Sequence, residues 1–268
     1  MNPFKIAISS FVFIMALTCG AARGGTDAEF EKSGAAGHYR KGLAYVKEGR
    51  CEEAISEYSK SLELFSDYYL VYSALGYACF YSGKFNMALE CFRKAIFLKP
   101  DYADAVRGIA CVYMGLGQKN EAAVYFEKAI KLDPNIISSY MALGVIYNDK
   151  KRFRMAIPLF NKVIEAAPNL DTAYFELGRA YQAVGETDLA VRNYEKCVYL
   201  TPNLRKPYLP LSVCHAAKKN YRKAFRYASI AGRLDPKDKE AKKMMRSLYC
   251  AIREAKRNAA GELPLNKG

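Results

Sequence analysis

Few side chains of this sequence combine the residue type and the spacing that catalysis requires. The chain has two histidines, His38 and His215, and the second directly follows Cys214. Adjacent side chains diverge by about 100° on a helix, so Cys214 and His215 cannot form a nucleophile–base pair within one helix. The glycines form no phosphate-binding loop motif. The sequence therefore predicts no enzyme and no small-molecule substrate.

The cysteines indicate neither a metal site nor a cofactor. The chain has eight of them; one is Cys19 near the N-terminus, and the other seven form no CxxC pair. Several stand at positions where small apolar residues recur along the sequence, so we expect buried free thiols rather than a disulfide framework. An odd number also leaves one thiol that is free or paired between chains, and the sequence cannot name partners for a disulfide. No cofactor is expected.

The elements that carry these residues follow a 34-residue period, which is the strongest signal in the chain. Such a period is typical of a stacked array of repeats. Small residues recur twelve positions before each alanine of the repeat, and aromatic residues recur four positions after most of them. The alanines at this period are Ala54, Ala88, Ala122, Ala156, Ala190 and Ala224.

One unit, residues 69–102, shows the structure that the period predicts. Its apolar and small residues fall at helical spacing in two runs, which Gly83 and Lys84 separate as a turn. Pro100 ends the second helix. One hairpin cannot bury its apolar face alone, so stacked neighbours are needed to form a continuous core.

This pattern resembles the tetratricopeptide repeat family over residues 35–238. The resemblance implies an all-α fold, a right-handed superhelical solenoid of helix-turn-helix repeats, with a concave groove lined mainly by the first helix of each unit. It also implies a non-catalytic scaffold for protein–protein interaction. The six predicted repeats are 35–68, 69–102, 103–136, 137–170, 171–204 and 205–238.

The N-terminus predicts export. Lys5 precedes the uncharged residues 6–22, which are followed by a polar stretch. We expect residues 1–22 to be a signal peptide or a membrane anchor and residues 23–34 to be a flexible lead-in. A lipid anchor at Cys19 is a further alternative, although the residues before it depart from the usual bacterial lipoprotein pattern. The expected location is the bacterial periplasm or cell envelope.

The positive charge is concentrated at the C-terminal end. Residues 205–258 hold 16 basic and 4 acidic side chains, a net +12 of the chain's +14. Residues 239–258 are expected to form a basic capping helix and residues 259–268 a disordered tail. The patch is either a solvated end or a docking site for an anionic membrane surface or an acidic partner; nucleic acid is disfavoured, because stacking aromatics are missing. Its residues are Lys218, Lys219, Arg222, Lys223, Arg226, Lys239, Lys242, Lys243, Arg246, Arg253, Lys256 and Arg257.

The resemblance also implies which side chains line the groove. In the first four units these are largely apolar, aromatic and Met-rich, which suits a partner peptide or amphipathic helix. Alternatively, they pack on each other or on the lead-in. A carboxylate clamp known among relatives is not matched, because Tyr39 and Leu43 stand where Lys and Asn belong. The predicted groove residues are Tyr39, Leu43, Tyr77, Phe80, Tyr81, Arg107, Met114, Met141, Val145, Asn148, Phe175 and Arg179.

The sequence thus favours an exported, non-catalytic scaffold that binds a partner segment in its groove as part of a multiprotein envelope assembly. The alternative is a peripheral adaptor that docks through its basic C-terminal end.

Overall fold

The described part of the chain is helical throughout. A computed structural model describes residues 26–259, and within them every regular element is an α-helix. The predicted fold class, an all-α solenoid of helix-turn-helix repeats, is confirmed. The predicted signal peptide, Cys19 and all of the predicted tail but residue 259 lie outside the described residues.

The chain divides into two compact units, one ending at Ser139 and the other beginning at Tyr140. The first unit contains α1 (Thr26–Lys32), α2 (Ala35–Lys47), α3 (Cys51–Leu64), α4 (Tyr69–Tyr81), α5 (Phe85–Leu98), α6 (Ala103–Gly115) and α7 (Lys119–Leu132). Helix α8 (Ile137–Asp149) begins at the boundary. The second unit continues with α9 (Phe153–Ala166), α10 (Asp171–Ala183), α11 (Thr187–Leu200), α12 (Tyr208–Ala217), α13 (Tyr221–Leu234) and α14 (Lys239–Ala259).

Small residues at the helix crossings set how closely each hairpin packs. All six alanines of the 34-residue period are fully buried. A Cβ atom built on Gly76 would lie 2.8 Å from the Phe92 ring, and one built on Gly144 would lie 2.7 Å from the Phe160 ring. The crossing glycines therefore leave the space that the aromatic residue of the same hairpin occupies.

Each hairpin turn ends the first helix in the same way. At the turn after α4, the backbone N–H of Lys84 donates to the carbonyl oxygen of Cys79 at 2.8 Å, and the N–H of Gly83 donates to the carbonyl oxygen of Phe80 at 3.0 Å. This is the Schellman arrangement, in which the residue after the helix takes the left-handed conformation. Four turns have glycine at that position, but two have lysine: Lys151 with φ 57° and Lys219 with φ 60°.

The lead-in prediction was wrong for the residues that the structure describes. Residues 26–32 form α1 instead of a flexible segment, and Phe30 is buried. The Phe30 ring stacks on Tyr68 with their centroids 3.9 Å apart, and it also contacts Phe65 and Tyr39 edge-on. Helix α1 therefore closes the apolar end of the first hairpin.

Helix α14 packs on the last hairpin. Its Ala241 and Leu248 are buried, and its Met244 and Met245 pack against the cluster formed with α13. Tyr249 of the same helix is exposed. Helix α12 begins at Tyr208 and has only 10 residues, because Pro207 and Pro210 limit its first turn.

Candidate functional site

The predicted groove residues lie on first helices, but three of them are not accessible in the way that the prediction required. Tyr39 is only 7% exposed, and Tyr77 and Asn148 are 2% exposed. Tyr39 lies beneath Phe30 of α1, which the sequence had left in a flexible segment. The other nine are partly exposed: Leu43, Phe80, Tyr81, Arg107, Met114, Met141, Val145, Phe175 and Arg179.

Tyr77 links two successive first helices of the first unit. Its hydroxyl donates a hydrogen bond to the backbone carbonyl oxygen of Asp104, 2.9 Å away on α6. Arg107 donates to one oxygen of the Asp104 carboxylate from Nε at 3.0 Å and from Nη2 at 2.5 Å. The guanidinium carbon also lies 5.1 Å from the centroid of the Tyr77 ring. Tyr77, Asp104 and Arg107 therefore form one polar network between α4 and α6.

Burial governs the protonation of this network. It raises the pKa of Tyr77 well above its usual value, so the phenol remains a neutral donor. Burial alone would lower the pKa of Arg107, but the charge and hydrogen bond of Asp104, together with neighbouring Tyr77 and Cys111, outweigh that effect and raise the pKa. The network thus keeps one ion pair, and it reads as a structural link rather than a free binding group.

A related link joins α8 to α10 in the second unit. The side-chain amide of Asn148 donates at 3.0 Å to both the backbone carbonyl oxygen and the carboxylate of Glu176. Arg179 donates to the same carboxylate at 2.8 Å. The Asn148 Oδ1 atom is buried and has no hydrogen-bond partner in the described part of the chain. Asn148 therefore also serves packing between repeats.

An aromatic and sulfur-rich surface remains partly exposed in the first unit, around the C-terminal ends of α4 and α6. Tyr81 lies edge-on to Phe80 with centroids 5.4 Å apart, and Phe80 packs against Gly115. Burial, with a smaller contribution from neighbouring Cys111, raises the pKa of Tyr81 to about 12. We call Tyr81, Cys111 and Met114, with Phe80 at their edge, the aromatic face.

Most of the predicted basic patch is exposed, as a docking surface requires. Lys218 is also exposed, but it forms an ion pair with Asp188 at the start of α11. On α14, six basic residues are exposed and make no ion pair within residues 26–259. They are Lys239, Lys242, Lys243, Arg246, Arg253 and Lys256.

Two basic clefts occur beside the turns that carry a left-handed lysine. The first has a volume of about 450 Å³ and is lined by Lys151, Arg152, Phe153, Arg154, Met155 and Val184. The second, of about 470 Å³, is lined by Lys219, Asn220, Tyr221, Arg222, Lys223, Ile252, Ala255 and Lys256. The charge of the sequence does not indicate the first cleft, because residues 1–204 together carry a net charge of only +2. The sequence feature that could have indicated this cleft is Lys151, which stands at a turn position that glycine holds in four other repeats.

The chemistry-bearing residues do not assemble into a reactive centre in the described part of the chain. His38 contacts Glu57 at 2.7 Å, whereas His215 stacks on Tyr227 with centroids 5.4 Å apart. Within residues 26–259 no group of three or more His, Cys, Asp or Glu side chains could hold a metal ion, and the seven cysteines there are free. Across the same residues, the helices are all too short or too polar to cross a bilayer.

Family models match a continuous stretch of the chain. Three models, all described as tetratricopeptide repeat, match residues 69–102, residues 103–136, and residues 35–68, 137–170 and 171–204. Together they cover residues 35–204, more than half of the chain. The chain belongs to the tetratricopeptide repeat family. Residues 205–238, predicted as a sixth repeat, fall outside the matches.

Solved tetratricopeptide structures share the fold. YrrB, a TPR protein with an unusual peptide-binding site, is 22% identical with a TM-score of 0.64, over 69% of this chain and 95% of YrrB. MamA from Desulfovibrio magneticus RS-1 is 22% identical with a TM-score of 0.59, over 64% of this chain and 97% of MamA. The APC/C hetero-tetramer Cut9–Hcn1 is 17% identical with a TM-score of 0.63, over 81% of this chain and 43% of that one. The comparison with curated proteins gives no match.

Polar links between neighbouring first helices hold those helices at a fixed spacing, and the exposed side chains of the aromatic face differ in chemistry from those of the two basic clefts. The aromatic face and the two basic clefts are therefore candidate binding surfaces of different chemistry.

Proposed function

We propose that this protein is a non-catalytic interaction scaffold that binds an apolar peptide segment or an amphipathic helix on its first-helix surface. The observation that carries the proposal is the aromatic face, where Tyr81, Cys111 and Met114 stay partly exposed above the buried Tyr77 network. Tetratricopeptide repeats are in general interaction scaffolds, and the similar YrrB has a peptide-binding site.

The side-chain chemistry of the aromatic face favours a protein ligand. A tyrosine ring supplies a large contact area at low entropic cost and offers a hydroxyl, and methionine adapts to ligands of different shape. The Tyr77 network fixes α4 against α6, so the face is held in place before a ligand binds. An apolar segment that carries one or two anchoring side chains fits these properties.

A peptide-binding assay with a matched control tests the proposal. An array of apolar and aromatic 12-residue peptides would be screened for binding to the full chain (a length that spans about three helical turns), and affinities would be measured by fluorescence anisotropy. Tyr81→Ala is expected to weaken the best peptide about tenfold or more, because truncation of an interface tyrosine costs more than ~1 kcal/mol. Phe97→Ala, which truncates an exposed ring on the second helix α5, should not.

The choice of Tyr81 avoids a confounding loss of structure. Tyr77→Ala would remove the link to Asp104, so lost binding in that variant would not separate contact from folding. If Tyr81→Ala and Phe97→Ala bind every peptide equally well, with unchanged circular dichroism, the aromatic face is not the binding surface.

Export and an envelope location belong to this proposal. They rest on the sequence alone: Lys5 followed by the uncharged residues 6–22. The scaffold would then act in a multiprotein assembly of the cell envelope. Mass spectrometry of the protein purified from its native host is expected to show an N-terminus near residues 20–22; an intact Met1 in a soluble fraction would contradict export.

A second candidate function is a peripheral adaptor that docks on an acidic partner through α14. It is favoured by six exposed basic side chains on that helix, none of which is neutralised within residues 26–259. Salt separates the two candidates. Binding at the aromatic face should survive a rise to 1 M salt, whereas binding through α14 should weaken strongly, because the Debye length falls to about 3 Å.

A further inference from the structure

The two left-handed lysines mark a second surface of the second unit. Six hairpin turns are described, and glycine holds the left-handed position in four of them, at Gly49, Gly83, Gly117 and Gly185. Lys151 and Lys219 hold it in the other two, where a Cβ atom disfavours the conformation. The next basic positions, Arg154 and Arg222, also recur together.

The two clefts beside these turns have the same construction, offset by two repeats. Lys151, Phe153 and Arg154 of the first correspond to Lys219, Tyr221 and Arg222 of the second. The aliphatic wall corresponds too, since Val184 of the first matches Ile252 of the second. Each cleft therefore combines an apolar floor with a cationic rim at the tip of a turn.

Contacts place the two clefts on the same edge of the unit. Val184, at the turn after α10, lines the cleft formed by the turn before α9. Lys218, at the turn before α13, pairs with Asp188 beside that same α10 turn. The three turns thus follow one another along one edge. We call the clefts and the intervening acidic turn the turn edge.

The rim charges of the turn edge are available to a ligand. Lys151, Arg152 and Arg154 at one cleft are exposed, as are Lys219, Arg222, Lys223 and Lys256 at the other. None of these seven side chains makes an ion pair within the described residues 26–259. Met155, at the rim of the first cleft, is also 49% exposed. Both clefts have the volume of a small-ligand pocket.

We propose that the turn edge docks on a membrane surface rich in anionic phospholipids, with one headgroup phosphate at each cleft. This surface is distinct from the aromatic face and shares only Lys256 with the exposed basic residues of α14, and the inference stands whether or not those surfaces bind. A cationic rim meets the phosphate, and the apolar floor meets the glycerol region below it. Clefts at the tips of turns can touch a flat surface together.

The acidic turn between the clefts favours separate lipid headgroups over a continuous polyanion. Glu186 and Asp188 lie between the two clusters of basic charge. A nucleic acid or an acidic peptide bound to both clefts would have to cross these carboxylates, and like charges repel. Discrete headgroups can avoid the acidic turn, because each lipid moves independently in the bilayer.

Vesicle flotation tests the inference. The full chain would be mixed with vesicles of phosphatidylcholine alone or with about a third phosphatidylglycerol, and the bound fraction would be measured. The variant Lys151→Gly/Lys219→Gly removes two rim charges and places glycine where the backbone favours it, so folding should be preserved. We expect its phosphatidylglycerol-dependent partitioning to fall about 30-fold, from roughly five- to sixfold for each of the two basic residues lost at the surface.

Two matched controls make the result specific. Lys128→Gln/Lys131→Gln removes the same charge from exposed positions of α7, and Lys242→Gln/Lys243→Gln removes it from exposed positions of α14. Both should keep most of the phosphatidylglycerol-dependent binding. Equal losses in all three variants would show that net charge alone is responsible and would overturn the inference.

Three further outcomes would also overturn it. The first is that the wild-type chain binds both kinds of vesicle equally. The second is that the glycine variant keeps full binding. The third is that the chain fails to float with either vesicle but binds a soluble polyglutamate peptide, with binding lost in the glycine variant; the turn edge would then be a site for acidic peptides.

Discussion

The two units use the same hairpin but link their first helices with different chemistry. In the first unit the Tyr77 hydroxyl reaches Asp104, and Arg107 completes the network with only 13% of its side chain exposed. In the second unit the Asn148 amide reaches Glu176, and Arg179 is 38% exposed. The position of a residue in the repeat therefore fixes its helix and face, but its neighbours decide whether its side chain stays exposed or links two repeats.

Removing the arginine should separate the two units most clearly. Arg107→Ala removes a guanidinium that is only 13% exposed and leaves the Asp104 carboxylate, within the described residues, with a single long contact, 3.4 Å from the Tyr77 hydroxyl, which should lower the free energy of unfolding by about 3 kcal/mol. Arg179→Ala should cost about 1 kcal/mol or less, because Arg179 is 38% exposed and the Asn148 amide still donates to the Glu176 carboxylate at 3.0 Å. Urea unfolding followed by hydrogen exchange, read separately for residues 69–115 and 137–183, measures both. Equal costs would contradict the distinction between the two links.

The aromatic residue of the hairpin is held more tightly in the first unit. A Cβ atom on Gly108 would lie 2.4 Å from the Phe92 ring, which Gly76 also contacts. The corresponding position in the second unit is Glu176. Gly108→Ala should therefore destabilise the first unit by about 2 kcal/mol in urea unfolding, because the fully buried ring cannot move away. Gly37→Ala, with open space around its Cβ position, is the control and should not be destabilising.

The turns also differ between the units, but here the strained backbone positions lie in the second unit. Lys151→Gly should stabilise the protein by about 0.5–1 kcal/mol, because glycine takes a positive φ without the Cβ contact. Gly83→Lys, the reverse change in the first unit, should destabilise it by a similar amount. Thermal unfolding of the two variants measures this exchange. Shifts of the same sign would mean that turn conformation does not determine the difference.

The smallest expected effect is a loss of stability on acidification, which acts through His215. Burial lowers the pKa of His215 more than the Glu195 carboxylate, 3.9 Å from Nε2, raises it, and neither ring nitrogen makes a hydrogen bond within the described residues. The folded state therefore favours the neutral ring, so stability is full above the unfolded pKa of about 6.5 and falls as the pH drops below it. The urea midpoint of the wild type should decrease slightly between pH 7 and pH 5. His215→Phe should lose that part of the decrease.

The period of the sequence was sufficient to predict the repeats and their core. The alanines and glycines that recur every 34 residues lie at the helix crossing, which is repeated in every hairpin. The pattern of one unit therefore predicts the packing of the others. The sequence did not predict helix α1, because the helix is held by Phe30. That residue can be recognised as part of the core only when the structure places Phe65 and Tyr68 beside it.

The candidate sites were less predictable, because they depend on contacts between repeats. Tyr77 stands at a repeat position that the resemblance predicted to line the groove, yet it is buried and contacts Asp104 and Arg107 on the next first helix. The first basic cleft was hidden for a different reason, since acidic residues elsewhere in residues 1–204 cancelled its charge in the sum. Both features become visible when neighbouring repeats are compared position by position.

The two clefts lie two repeats apart, so the length of the repeat sets the distance between them. Lys151 and Lys219 are separated by two whole repeats, and every core column returns after each of them. Insertion of one 34-residue hairpin after the turn that carries Val184 would change their separation by a fixed step and would keep every residue that lines either cleft. The distance between two docking points can therefore be set by counting hairpins.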